Sequence, residues 1–118
     1  MKYLLLIYLD EKALSESERQ TCYEESLQLA QEIHSRGQYL GANPLYPTAM
    51  ATSVRVREGK RSVTDGPFAE TRQQLGGYFL IETENLDEAI AVAERIPMGR
   101  KGTVEVRPLV EVPVETAH

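Results

Sequence analysis

Thiols, imidazoles and basic residues are all scarce in this chain, and each scarcity removes a class of chemistry. The single cysteine among 118 residues, Cys22, excludes an internal disulfide and a thiolate-rich zinc site, since both need several thiols. It fits a reducing, cytoplasmic setting. The two histidines, His34 and His118, lie far apart in the sequence, which leaves a metal or catalytic imidazole without a partner. Lys and Arg total 13 against 18 Asp and Glu, a net charge of −5, and no basic cluster stands out that would neutralise phosphates. Direct nucleic-acid binding is therefore not expected. The apolar run Tyr3 to Leu9 is far short of the roughly 20 residues of a membrane span, meets Asp10-Glu11 and has no small-residue cleavage site. Neither a membrane span nor a leader fits. Gly76-Gly77 precedes no helix and lacks Walker or dinucleotide spacing, so no cofactor is implied.

What remains is material for one ordinary globular domain, expected over residues 1–112 with a loose tail at 113–118. The apolar fraction of 42% suffices for a core. Tyr3 to Leu9, apolar at almost every position, reads as a central strand covered on both faces. Ser15 with Glu18 forms a capping box, after which Cys22, Tyr23, Leu27, Leu29, Ala30 and Ile33 fall on one helical arc until Gly37. Gln38 to Gly41 reads as a short strand before a loop containing Asn43-Pro44 and Tyr46-Pro47. Thr52 to Arg57 alternates, turns at Glu58-Gly59-Lys60 and returns as a hairpin toward Asp65. Leu75 to Glu82 is a further strand, Asn85 opens a helix with Leu86, Ala89, Ile90, Ala93 and Ile96 inward, and Thr103 to Leu109 is the last strand. The order is β-α-β-β-α-β with an extra hairpin, a ferredoxin-like α+β fold. Because the first strand is apolar on both sides, the sheet face away from the helices is expected to be covered by a second copy, giving a homodimer.

The most particular stretch is Val63-Thr64-Asp65-Gly66-Pro67-Phe68-Ala69-Glu70-Thr71, closing on Leu75-Gly76-Gly77-Tyr78. Asp65-Gly66-Pro67 spells a rigid turn, with Phe68 as a buried anchor beside it. The turn also carries two carboxylates, Asp65 and Glu70, as candidate acid, base or acceptor. Gly76-Gly77 reads as a close backbone approach or a bulge at the strand entry.

Thr64 to Glu70 with Leu75-Gly76-Gly77-Tyr78 resembles the signature of the DGPF proteins, grouped within the YCII-related family. The likeness extends to the Lys2–Tyr8 opening, the Gly41 loop, the Thr52–Arg57 strand, the Asn85 helix and the Val104–Pro108 ending. It implies a dimeric α+β barrel and, by kinship, an association with sigma-factor-like transcription proteins. Some YCII-related proteins carry a first-helix histidine that suggests enzymatic function together with an aspartate. Here the corresponding region reads Thr21-Cys22-Tyr23-Glu24-Glu25, so that argument does not transfer.

Two constellations remain. Arg55 with Arg57, and Glu105 with Arg107, each share a strand face; if the faces coincide, the arginines form a fork for a small anionic ligand, with Tyr78 and Asp65 beside it. The plainer reading is solvated strand charges. His34 reads as a cation near a helix C-terminus, and Cys22 as a small core hydrophobe. The functional expectation is a small-molecule binding protein or enzyme with a pocket near the Asp65–Phe68 turn. The alternative is a non-catalytic regulatory module acting through protein contacts.

Overall fold

In a computed structural model residues 1–113 are described; of the tail expected at 113–118 only Pro113 falls within them, and His118 lies outside. The strands are β1 (Lys2–Leu9), β2 (Tyr39–Pro44), β3 (Thr52–Arg57), β4 (Lys60–Asp65), β5 (Gln74–Glu82) and β6 (Gly102–Pro108), with helices α1 (Glu16–Ser35) and α2 (Leu86–Ala93). Four strands form one antiparallel sheet in the order β2-β5-β1-β6, while β3 and β4 form a separate two-stranded sheet. β5 is thus inserted between β1 and β2, the split βαβ topology of a ferredoxin-like α+β fold.

β1 alternates strictly. Tyr3, Leu5, Ile7 and Leu9 are buried against the helices, whereas Leu4, Leu6 and Tyr8 on the opposite face stay half-exposed. Its neighbours keep register, with Leu5 opposite both Phe79 and Val106, and Tyr3 opposite Ile81. Together with Leu29, Ile33, Ala89, Val92, Ile96 and Met98 these residues make the core. The expectation that both faces of β1 are covered is corrected for a single chain, because among the described residues no second layer overlies Leu4 and Leu6.

Helix α1 starts where the sequence predicts, with Ser15 Oγ accepting from the Glu18 N–H and Glu18 Oε1 from the Ser15 N–H. It ends in a Schellman arrangement, Gly37 N–H donating to the His34 carbonyl and Gln38 N–H to that of Ile33. β2 runs on through Asn43-Pro44 rather than breaking before them, which edge position allows since a proline there costs no ladder bond to a further strand. Helix α2 stops at Ala93, and a 3-10 turn over Pro97–Lys101 leads into β6. Leu27, Leu86 and Ile90, expected on inward stripes, are exposed, because each stripe meets the sheet along a narrower seam than the helical arc spans.

Three carboxylates seven residues apart on α1 meet three cations from the segment before β6. Lys101 donates to Glu18 Oε2 at 2.6 Å, Arg100 to Glu25 at 2.7 and 3.2 Å, and Arg95 to both oxygens of Glu32. A heptad spacing returns a residue to nearly the same helix face, so the three pairs form a ladder closing α1 onto the α2–β6 connection. The Lys101 ammonium and the capping bonds at Ser15 hold the Glu18 carboxyl down from its ordinary 4.5 to about 2, and Arg100 and Arg95 lower Glu25 and Glu32.

A carboxylate whose pKa is depressed on folding stabilises the fold above its ordinary pKa and loses that effect as pH falls toward the folded value. Urea unfolding should therefore show stability declining between about pH 4.5 and pH 2. Replacing Glu18, Glu25 and Glu32 together by Gln should flatten this acid limb, and an unchanged limb would refute the ladder's role.

Candidate functional site

The Asp65–Phe68 turn sits at the base of the β3–β4 hairpin. Glu58 and Gly59 at the hairpin tip both have positive φ, 52° and 76°, the pattern of a type I′ turn that matches strand twist. At the base, Thr52 pairs with Asp65, the Gly66 N–H donates to the Ala51 carbonyl at 2.6 Å, and Ser53 Oγ donates to the Gly66 carbonyl at 2.8 Å. Gly66 has φ +94°, closed to ordinary side chains, so the glycine is demanded by the backbone. These bonds, rather than an aromatic anchor, hold the turn. Phe68 is 79% exposed, which corrects its expected burial: the chain after Pro67 passes outside the four-stranded sheet, where no layer receives the ring.

The candidate residues do not converge. Asp65 is exposed at the end of β4, and Arg55 and Arg57 project from the cationic face of the separate hairpin. Arg107 lies on edge strand β6, 3.9 Å from Glu105 and exposed. No strand pairing brings Arg107 onto a common face with Arg55 and Arg57, so the expected arginine fork is not assembled within the chain. Glu70 instead borders a shallow groove of about 510 Å³ with Asp10, Lys12, Thr48, Pro67 and Arg72. Beside it, Glu11 accepts from the Thr48 N–H at 2.8 Å and from its hydroxyl at 3.0 Å, fastening the Thr48–Met50 turn to the end of β1. The hairpin also gathers Arg55, Arg57, Lys60 and Arg61 within one ribbon, a local basic concentration that the overall charge conceals.

A second and more enclosed cavity, about 260 Å³, lies between α1 and the β2–β5 side of the sheet. Ile7, Leu27, Ala30, Ala42, Phe79 and Met98 supply apolar lining, Tyr23, Ser26 and Tyr39 supply hydroxyl groups, and Asn43 and Tyr78 border it from β2 and β5. Asn43 Nδ2 donates to the Tyr78 hydroxyl across β2 and β5 at 3.1 Å. Among the described residues, no carboxylate, histidine or cationic side chain lines this cavity. Leu27, 60% exposed, stands at its border rather than in the core.

Gly76 and Gly77 shape the same side. Ile7 opposes Gly77 but Tyr8 opposes Leu75, so Gly76 is the extra residue of a bulge. A Cβ on Gly77 would meet the Asn43 carbonyl at 3.0 Å and Pro44 Cα at 3.2 Å, so its absence lets β2 approach closely. Cys22 is buried and burial pushes its thiol pKa up, as suits a core residue. His34, exposed near the end of α1, meets the Tyr39 ring edge-on at 6.0 Å. Tyr78, expected beside a ligand, borders the cavity from β5, whereas Tyr39 escaped sequence reasoning because its place opposite α1 follows only from the sheet order. Tyr23 was legible on the inward arc of α1.

Residues 1–113 match the family model of the YCII-related domain. An uncharacterized protein of Rhizobium meliloti (strain 1021) is 35% identical over 114 residues, covering 92% of each chain. No helix of the described residues is long and apolar enough to cross a membrane.

Phe68→Ala should change stability by no more than about 0.5 kcal/mol, as for other exposed positions. Gly77→Val should lower the melting temperature clearly, because β2 backbone must move. Thermal melts of the two variants check both, and a large loss with Phe68→Ala would overturn the placement of the ring.

Proposed function

The chain belongs to the YCII-related family, and on that footing we propose that it is a small-molecule binding protein whose ligand is largely apolar with neutral hydrogen-bonding groups. The observation that carries this reading is the lining of the α1–β2–β5 cavity: aliphatic and aromatic walls with tyrosine and serine hydroxyls, and no formal charge among the described residues. Such a site gains affinity by removing apolar ligand surface from water and gains orientation from a few polar contacts. Its volume of about 260 Å³ suits a compact molecule.

The lining offers no carboxylate–imidazole or thiolate pair to move a proton or attack a carbonyl, which favours binding over catalysis. Asp65 and Glu70 then serve outside the ligand site: Asp65 as the last paired residue of the hairpin, Glu70 on the rim of the polar groove. The alternative of a non-catalytic interaction module draws on a different feature, the exposed face of the hairpin with Val54, Val56 and Val63.

Titration with the neutral fluorescent probe N-phenyl-1-naphthylamine tests the reading. The wild-type chain should bind it saturably, Ala30→Phe should fill the cavity and weaken binding at least about tenfold, and Glu70→Gln should leave it unchanged. Loss with Glu70→Gln but not with Ala30→Phe would move the ligand to the groove and overturn the proposal.

A further inference from the structure

We propose that the basic face of the β3–β4 hairpin binds the phosphate backbone of duplex DNA, with the ribbon lying in the major groove. The net charge of −5 sums two regions of opposite character: the hairpin holds four of the chain's 13 Lys and Arg but two of its 18 Asp and Glu, leaving nine against 16 elsewhere. Strand pairing then sorts the ribbon's side chains by face. Arg55 opposite Ser62 and Arg57 opposite Lys60 lie on one side, with Val54 opposite Val63 and Val56 opposite Arg61 on the other. The two acids stand clear of the basic side, Glu58 in the turn and Asp65 at the base on the valine side.

Two observations set these cations apart. Among the described residues six cations outside the hairpin each form an ion pair, whereas the exposed Arg55, Arg57, Lys60 and Arg61 form none. Arg57 and Lys60 also face each other directly across the ribbon, and like charges so placed destabilise a strand pair. Hairpin stability therefore does not account for them. A phosphate lying between the two reverses the sign of that cost. The shape suits a groove: the Cα radius of gyration is 16.3 Å, against about 13.5 Å for a compact chain of this length, as expected of a body with a projecting arm. Two strands about 4.8 Å apart enter a B-DNA major groove about 12 Å wide with room for side chains, and the deep, narrow major groove of A-form RNA does not admit them. Arg55 and Arg57 are set roughly 6.7 Å apart along β3, so their guanidinium groups reach different phosphates of one strand. The acidic body is repelled by the same phosphates, which confines contact to the arm. The basic face belongs to a different sheet from the strands of the ligand cavity, and the inference does not rest on that site.

Fluorescence anisotropy of a labelled, mixed-sequence DNA duplex over a salt series tests this. The wild-type chain should bind saturably at low salt, with log affinity falling against log salt at a slope of about −2.7, the value for three neutralised phosphates. Arg55→Gln, Arg57→Gln and Lys60→Gln together should weaken binding at least about tenfold and flatten the slope, while Arg61→Gln on the valine side leaves both near wild type. Lys60→Glu should raise the melting temperature by removing the repulsion of Arg57 and should weaken DNA binding in the same protein, a pairing of effects that misfolding does not produce. Absence of binding at low salt overturns the proposal, as does a slope that depends on Arg61 as much as on the basic side. Equal affinity for poly-glutamate or for phosphatidylserine vesicles also overturns it, in favour of an acidic protein or an anionic membrane.

Discussion

The fold depends on β1 being hydrogen-bonded along both of its edges. A strand paired with β5 on one side and β6 on the other cannot slip by one residue without exchanging its whole buried set for the other face. Tyr3, Leu5, Ile7 and Leu9 therefore fix where Phe79, Ile81, Val104 and Val106 stand, and those in turn fix the seam on which α1 and α2 lie. Even the irregularity at Gly76 fits it, because the bulge adds one residue to β5 while pairing resumes at Tyr8–Leu75 and Leu9–Gln74.

Around that strand the helices are held in two ways that differ in character. Leu29, Ile33, Ala89, Val92 and Ile96 contribute by apolar burial, which carries no direction along the helix axis. The Glu18, Glu25 and Glu32 ladder adds the missing direction, since each carboxylate meets a particular cation of the segment leading into β6. Exposed ion pairs are individually weak. Their value here is registry: they set how far α1 slides along the sheet, and hence where Tyr23, Ser26 and Leu27 stand over the cavity.

Much of this architecture was legible in the sequence. The capping box at Ser15, the closure at Gly37, the alternation of Thr52–Arg57 and the inward Cys22, Leu29, Ile33 and Ala89 are local signals, and local periodicity carries them. The ferredoxin-like order followed from laying those elements in sequence. Three things were not legible. The partners of Glu18, Glu25 and Glu32 lie 83, 75 and 63 residues away, so only the fold brings them together. Phe68 looked like an anchor because aromatic rings beside turns usually bury, but the turn is fastened by Ala51 and Ser53 and needs no anchor. The arginines were grouped by strand face without knowledge that β3 belongs to a different sheet from β6. The cavity was illegible for a similar reason, since its hydroxyl groups arrive from α1 and β2 and its apolar wall from β5.

One property of the chain between Ile33 and Gly77 reaches into folding kinetics. With no buried residue in that stretch, the core is assembled from two distant parts of the sequence joined by a closed loop of more than forty residues. The entropy of closing such a loop grows only with the logarithm of its length, so doubling it would cost about 0.6 kcal/mol. Beyond β2, which is paired to β5, the connection can thus lengthen, shorten or change its decoration with little effect on whether the rest folds. It is the part of the molecule in which new recognition can be tried while the scaffold stays as it is.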